Sequence, residues 1–243
     1  MAGKQIEIET RDGKAKAGLF RPSGTAKAGV ILYMDIFGPR PALDQMAEHL
    51  AGDGYAVMVP DLFYRSGPYG PFDPRTAFDG DKTRAQLMAL RDGTPQEMTI
   101  RDSEAFLDAL AAQGIGGPVG VVGYCMGGAR ALNAAAAYPD RVAAAASFHG
   151  GNLASDAPDS PHRRAASIKA RVYVGVAGVD RSFPPEQSAR LAEALRVAEV
   201  DHMIENYIGM EHGWCINDHG VYDEAGAARH WKRLTTFFGE TLG

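Results

Sequence analysis

One cysteine lies in a sequence context that is typical of a catalytic nucleophile. Cys125 is the central residue of a Gly-x-Cys-x-Gly motif, with Gly123 before it and Gly127 after it. The motif joins an apolar β-branched run to the alanine-rich segment 129–137, which predicts a sharp strand-to-helix turn. Glycine is expected where a side chain would collide with the neighbouring strand or helix. A helix that begins at Met126 favours the nucleophilic thiolate, although a buried structural cysteine is the alternative.

A thiol nucleophile needs a base, and the base needs an acid that orients it. Asp180 follows the apolar run 172–176, and His212 follows the apolar run 203–208. Each residue alone has an ordinary explanation, a cap for Asp180 and a loop histidine for His212. Their order along the chain, nucleophile then acid then histidine, each after a strand, predicts a Cys–His–Asp triad.

Acyl transfer also needs hydrogen-bond donors for the oxyanion that develops on the substrate. The backbone N–H of Met126, directly after the nucleophile, is one candidate donor. The second is expected in the loop 35–38, which follows the apolar run 29–34, and we assign it to the backbone of Ile36. Phe37 in the same loop is interpreted as a core aromatic, a substrate-binding residue, or both.

Strand-like and helix-like segments alternate along the chain and would position these residues. Asp12-Gly13 is a hairpin signal between the first two strand-like segments. Further strands are predicted at 29–34, 55–59, the run that ends at Cys125, 142–148, 172–176 and 203–208, and helices at 41–52, 99–110, after Cys125, 184–197 and 225–238. This alternation predicts an α/β protein with a mainly parallel central sheet and helices on both faces.

The interval 62–96 interrupts this alternation within what we predict to be a single domain, residues 1–243. It is rich in Pro, Gly, Asp and aromatic residues, and only 82–91 has helical character. A long insertion of this kind predicts a lid or a substrate-binding segment, although a surface excursion without function is the alternative. A second irregular stretch, 150–168, is predicted to be a solvated connection.

Composition limits the classes of function. The chain has 243 residues, a formal net charge of −5 and a pI near 5.8, which argues against nucleic acid and anionic membranes as partners. Its two cysteines suit a reducing cytoplasm, where we expect the protein, and no signal peptide or membrane span is expected. Cys215 and His219 are a weak metal motif, so no metal is expected. His149 is interpreted as a buried histidine with satisfied hydrogen bonds, and a place in the floor of the active site is the alternative.

The chain resembles the dienelactone hydrolase (carboxymethylenebutenolidase) family of the α/β-hydrolase superfamily. The resemblance extends from the hairpin to the final helix and is strongest at GYCMGG around Cys125, at PDLFYR from Pro60, and in the loops of Asp180 and His212. It implies an α/β-hydrolase fold that cleaves enol-lactones or related esters without a metal or an organic cofactor. It also implies that Cys125 is the nucleophile, His212 the base and Asp180 the residue that orients the base.

Two departures from the family pattern concern the substrate. Where the type member has a glutamate that holds the thiol and accepts its proton, this chain has Asp35, which is expected to support the nucleophile directly or through water, or else to cap the loop. The type member also binds a substrate carboxylate with two arginines. Arg84 matches the first, with a solvated helix residue as the alternative, and Ile216 occupies the place of the second. Met88, one turn after Arg84, is expected to line a less polar substrate pocket.

We therefore expect a hydrolase that acts on a small-molecule lactone or activated ester through a thioester at Cys125. No nucleic-acid or membrane partner is expected, and the choice between monomer and homodimer stays open. One alternative is a general small-ester carboxylesterase or thioesterase. The other is a non-catalytic hydrolase-fold protein that binds a ligand or senses redox state through oxidation of Cys125.

Overall fold

The computed structural model describes residues 3–243, which form an eight-stranded sheet and six α-helices. The strands are β1 (Lys4–Thr10), β2 (Gly13–Phe20), β3 (Gly29–Tyr33), β4 (Ala56–Pro60), β5 (Val119–Tyr124), β6 (Val142–Phe148), β7 (Arg171–Val179) and β8 (His202–Glu211). The helices are α1 (Pro41–Gly52), α2 (Asp81–Asp92), α3 (Gln96–Ala112), α4 (Met126–Ala137), α5 (Pro185–Val197) and α6 (Glu224–Leu242). Short 3₁₀ segments lie at Tyr64–Ser66 and Pro161–Ser167.

The strand order in the sheet is β1-β2-β4-β3-β5-β6-β7-β8. β1 pairs with β2, and β2 with β4, in antiparallel fashion, whereas every pair from β4 to β8 is parallel. The predicted hairpin is confirmed, because Thr10 pairs with Gly13. Parallel strands place their carboxyl ends at one edge of the sheet, so the loops after β3, β5, β6, β7 and β8 meet there.

Two glycines in β5 show that helices cover both faces of the sheet. Residues three apart in a strand point to opposite faces. A Cβ at Gly120 would lie 2.7 Å from the side chain of Leu242 in α6, whereas a Cβ at Gly123 would lie 1.9 Å from the carbonyl oxygen of Gly127 in α4. The predicted α/β fold, with a mainly parallel sheet between two layers of helices, is therefore confirmed.

The predicted strands and helices are present, and the differences concern their ends. β7 extends to Val179 and β8 to Glu211, beyond the predicted 176 and 208, because the two strands pair along most of their length. The prediction that 150–168 is a solvated connection is wrong for part of the stretch, since Leu153, Ser160 and Ala165 are buried where the second 3₁₀ segment packs on α4. Within residues 3–243, no helix is long and apolar enough to cross a membrane.

Candidate active site

Cys125 lies in a strained turn between β5 and α4. Its backbone has φ 55° and ψ −120°, a conformation that residues other than glycine rarely adopt. The turn requires glycine on both sides. A Cβ at Gly123 would meet the backbone of Gly127 at 1.9 Å, and a Cβ at Gly127 would meet the carbonyl oxygen of Tyr33 at 2.3 Å. The collisions expected from the motif are thus confirmed, and they show that the start of α4 packs closely against the ends of β3 and β5, with Cys125 partly buried between them.

The end of β6 holds the backbone of this turn from the other side. The Cys125 N–H is directed at the carbonyl oxygen of Phe148 at 3.3 Å and at Nδ1 of His149 at 3.1 Å. The Cys125 carbonyl accepts from the amides of Gly128 at 3.1 Å and Gly151 at 3.3 Å. Both polar groups of the strained residue are therefore bonded, which offsets part of the cost of its conformation.

Asp180 and His212 form a direct hydrogen bond in the loops after β7 and β8. His212 Nδ1 lies 2.7 Å from Asp180 Oδ2. The Asp180 carboxylate is almost fully buried, with 3% of its side chain exposed, whereas 28% of the His212 side chain is exposed. Ser182 holds the other carboxylate oxygen, because its backbone N–H and its hydroxyl each donate to Asp180 Oδ1 at 2.7 Å. The carboxylate is thus fixed in the orientation that holds the imidazole ring.

The charge on His212 depends on both of its predicted partners. Burial lowers the pKa of His212, but negative charge on Cys125 and the hydrogen bond to Asp180 outweigh burial and raise the pKa to about 10. Burial raises the pKa of Asp180, but the bonds to His212 and Ser182 reverse the shift, so this carboxyl group titrates below its ordinary value. The surroundings of His212 therefore favour its protonated form. The structure brings Cys125, Asp180 and His212 together, and their catalytic roles stay predictions.

The loop after β3 approaches α4 at the same edge of the sheet. Phe37 donates its backbone N–H to Asp35 Oδ1 at 3.0 Å, so this amide is already engaged. Met126 is the first residue of α4, where a backbone N–H has no acceptor within the helix. The oxyanion roles of the Ile36 and Met126 amides stay predictions, and the bond of Phe37 is consistent with the choice of Ile36 within this loop.

Asp35 belongs to a buried ionic cluster rather than standing alone. Arg40 binds it with two nitrogens, Nη1 at 2.7 Å from Oδ1 and Nη2 at 2.9 Å from Oδ2. Arg40 also donates to both oxygens of Asp218, at 2.6 and 3.0 Å, and His219 Nε2 lies 3.2 Å from Asp35 Oδ2. Burial raises the pKa of Asp35, but His219 and Arg40 together lower it. The described contacts of the carboxylate are to these groups and the Phe37 amide, so direct support of the thiol by Asp35 stays a prediction.

An apolar cluster lies beside the predicted oxyanion loop and contains residues of the insertion. Ile36 and Phe37 are buried together with Ala77 and Leu87, and Phe72, Met88 and Met126 pack against them. The expectation that Met88 presents apolar surface here agrees with this packing. Phe37 is 6% exposed and contacts the ring of Phe78 at 5.6 Å between centroids. The insertion thus covers the loop after β3 with apolar side chains.

The structure does not place Arg84 in this apolar cluster, and the residue in the place of the family's second arginine is uncharged. Arg84 is exposed on α2 and donates to the carbonyl oxygen of Phe78. Ile216 is fully buried in the core of the protein. Arg40 is nearby, with its guanidinium 5.5 Å from the Phe37 ring, but it is shared between two carboxylates. A role for Arg84 in substrate binding stays a prediction.

Sequence reasoning missed Ser182 and the partners of Asp35. Ser182 follows Asp180 by two residues, the spacing of a local Asx-type turn, so a signal for it was available. The contact between Arg40 and Asp218 joins residues 178 positions apart, and no local pattern announces it. Within residues 3–243, no cluster of three or more His, Cys, Asp or Glu side chains is arranged to hold a metal ion.

Comparisons with known proteins agree with this architecture. A model of the dienelactone hydrolase family matches residues 15–242. A carboxymethylenebutenolidase homolog of Xenopus tropicalis is 28% identical over 214 residues, which cover 87% of this chain and 78% of that protein. A carboxymethylenebutenolidase of Pseudomonas putida is 34% identical over 145 residues, 58% of this chain and 60% of that protein. The crystal structure of a dienelactone hydrolase-like promiscuous phosphotriesterase from metagenomic libraries has the same fold, with a TM-score of 0.79, 23% identity and 100% of both chains covered. Because the family model matches nearly the whole sequence, this chain belongs to the dienelactone hydrolase family.

Proposed function

We propose that this protein hydrolyses small lactones or activated carboxylic esters with Cys125 as nucleophile, His212 as base and Asp180 as the residue that orients the base. The observation that carries this proposal is the 2.7 Å bond between Asp180 and a His212 ring whose protonated form is favoured by Cys125. A thiolate paired with an imidazolium is the reactive form of a cysteine nucleophile. Membership of the family supports the same class of reaction.

The reaction has two halves. The Cys125 thiolate attacks the carbonyl carbon of the substrate, and the amides of Ile36 and Met126 donate to the oxyanion. The C–O bond then breaks, which leaves an acyl thioester on Cys125, and the His212 imidazolium gives its proton to the departing alcohol or enol, so that His212 becomes neutral. Neutral His212 next takes a proton from water, which attacks the thioester. The C–S bond breaks, the acid is released, and the thiolate and imidazolium are restored.

Thiol chemistry restricts the leaving group. A thiolate is itself easily expelled from the tetrahedral intermediate, so a substrate must carry a group that leaves at least as readily. Enolates and phenolates meet this requirement, whereas amides do not.

The second cysteine is not suited to the reaction, because burial raises the pKa of the Cys215 thiol well above its ordinary value and leaves it inert.

The cations near the site argue for substrates without a carboxylate. Arg84 is exposed and bonded to the carbonyl of Phe78, and Arg40 is neutralised by Asp35 and Asp218. The side chains packed beside the oxyanion loop are instead apolar, with the buried Phe37 and the partly buried Met88 among them. A neutral acyl group is therefore expected to bind about as well as a charged one. The same surface favours a general small-ester esterase as the second candidate function.

A matched pair of substrates tests the reaction class and this preference. We expect kcat/KM for a neutral enol-lactone or aryl ester to be within about tenfold of the value for its carboxylate-bearing analogue. Arg84→Ala should raise KM for the carboxylate-bearing substrate and leave the value for the neutral one nearly unchanged, and Lys82→Ala on the same helix is the matched control. A strong preference for the anion that Arg84→Ala abolishes would restore the family pattern of carboxylate binding.

Selective alkylation tests the nucleophile. Iodoacetamide should modify Cys125 and abolish activity in both the wild type and Cys215→Ala, because only the thiol at the elbow is paired with a base. Adducts are mapped by mass spectrometry of proteolytic peptides. Activity that is lost only as Cys215 reacts, with Cys125 still free, would exclude Cys125 as nucleophile.

A further inference from the structure

We propose that His149 is a positioning residue for Cys125, which holds the backbone of the strained elbow through a neutral ring; this rests on the function proposed above. His149 directly follows β6 and is 1% exposed. Its Nδ1 accepts from the Cys125 N–H at 3.1 Å. The sequence favours a buried histidine over a residue of the site, yet His149 contacts both the nucleophile residue and the predicted base.

The backbone of His149 shows how firmly this position is held. Its φ is 38°, in the left-handed region that residues other than glycine and asparagine rarely occupy. The His149 N–H donates to the carbonyl oxygen of Gly175 in β7 at 2.9 Å. β5, β6 and β7 are consecutive in the sheet, so His149 at the end of β6 links the nucleophile turn, through its ring, to the strand that leads to Asp180, through its backbone N–H.

The hydrogen bond fixes the state of the ring. A nitrogen that accepts from an N–H carries a lone pair, so the proton of neutral His149 is on Nε2. Nε2 is buried and has no hydrogen-bond partner among the described residues. If Nδ1 were protonated, its N–H would face the backbone N–H of Cys125. Two donors cannot bond to each other, so the contact with the elbow would be lost.

The surroundings of the ring oppose a positive charge there. His149 contacts the ring of His212 at 4.8 Å between centroids and the ring of Trp214 at 5.3 Å. His219 at 6.5 Å and Tyr124 at 5.8 Å also face it, and His230 acts on it from α6. Burial, reinforced by these histidines, lowers the pKa of His149 well below its ordinary range. The ring therefore stays an acceptor while His212, beside it, holds the charge.

Two substitutions separate the acceptor from the ring. His149→Phe keeps an aromatic ring for packing and removes the acceptor. His149→Asn removes the ring, but it keeps an oxygen at the δ position and tolerates a positive φ. His230→Phe is the matched control, because His230 is an equally buried histidine whose ring bonds to Tyr124 Oη at 2.9 Å and does not touch the elbow amide.

The readouts are kcat, KM and the rate of Cys125 alkylation by iodoacetamide, with far-UV circular dichroism to confirm folding. For His149→Phe we expect kcat and the alkylation rate to fall about tenfold with KM little changed, because the thiol loses its position beside His212. His149→Asn should stay within about threefold of wild type, as should His230→Phe. If His149→Phe does not fold, the result for His149→Asn decides the matter.

Equal losses in His149→Phe, His149→Asn and His230→Phe would show that His149 only packs, and wild-type rates in His149→Phe would show that the acceptor is dispensable. Either result overturns the role in positioning. The alkylation rate does not depend on ester cleavage. A protein that cleaves no ester but still shows the alkylation pattern would refute the proposed function and leave the role of His149 standing.

Discussion

His212 is the residue whose charge state is most open to direct measurement. Its pKa is raised to about 10, and Cys125 is the leading cause that acts against burial. We predict that Cys125→Ser lowers the pKa of His212 toward the ordinary value of about 6.5, because a neutral hydroxyl does not stabilise the imidazolium. The imidazole proton shifts in an NMR titration report this pKa, with His162 as an internal reference outside the site. An unchanged value in Cys125→Ser would show that the thiol does not interact with the ring.

Asp180 bonds to Nδ1 of His212, and we propose that this bond sets the face and the tautomer that the ring presents to the thiol. We predict that Asp180→Asn lowers kcat on the order of a thousandfold or more, because a neutral amide cannot stabilise imidazolium and can hold the wrong tautomer. Asp140→Asn, on an exposed carboxylate that is paired with Lys169, is the matched control and should leave kcat unchanged. Steady-state kinetics at fixed pH provide the measurement. A kcat for Asp180→Asn within about threefold of wild type would assign the orienting acid elsewhere.

At the scale of elements, the junction between β5 and α4 depends on the absence of side chains. We predict that Gly123→Ala lowers the free energy of unfolding by about 1–3 kcal/mol or more, because its Cβ would lie 1.9 Å from backbone in α4. Gly116→Ala is the matched control, since no atom lies within 4 Å of a Cβ there and its φ is not positive. Urea denaturation curves compare the two. Equal stability of both variants would show that the junction between β5 and α4 accommodates a Cβ at position 123.

The elements were predictable because their apolar spacing is local. Residues 41–52, for example, were predicted to be a helix from the spacing of Leu43, Met46 and Leu50, and the structure has α1 over the same residues. The ends of β7 and β8 were not predictable, since they depend on pairing between two distant segments. The order of Cys125, Asp180 and His212 predicted that their loops meet, whereas the burial of part of 150–168 depends on packing of the second 3₁₀ segment against α4, which no local pattern shows.

Across the whole molecule, one arginine joins the loop after β3 to the loop after β8. Arg40 is 9% exposed and bridges the fully buried Asp35 to Asp218, which lies six residues after His212. Arg40 thus links the predicted oxyanion loop to the loop that contains the predicted base, through its ion pairs with Asp35 and Asp218. Ile36, with one of the proposed oxyanion amides, directly follows Asp35, so this pair is expected to support the site as well as the fold.

We predict that Arg40→Gln lowers the free energy of unfolding by about 3–5 kcal/mol, because it leaves the Asp35 carboxylate buried without its partner. Asp35→Asn in the same chain should restore part of this loss. Arg141→Gln, which removes an exposed pair with Asp108, is the control and should cost less than about 1 kcal/mol. Chemical denaturation measures all four proteins. A loss below about 1 kcal/mol for Arg40→Gln would show that the pair does not stabilise the loops.

The same pair predicts a dependence of stability on pH. The pKa of Asp35 in the folded protein is below its ordinary value of 3.8, so the contribution of this carboxylate to stability is fully present above that value. It is lost as pH falls through the lowered folded-state pKa. The free energy of unfolding of Asp35→Asn should therefore change less as pH falls than that of the wild type. If the stability of the wild type and of Asp35→Asn falls equally with pH, the role of Asp35 is contradicted.

The acyl thioester is the intermediate on which the whole account depends. An aryl ester is mixed with the wild type, the reaction is quenched in acid within the first turnovers, and the peptides are analysed by mass spectrometry. We predict that the acyl group is found on the peptide that contains Cys125 in both the wild type and Cys215→Ala, and that Cys125→Ala is neither acylated nor active. Ester cleavage by Cys125→Ala at the wild-type rate, or an acyl group on any other residue, would contradict the central claim that Cys125 is the nucleophile.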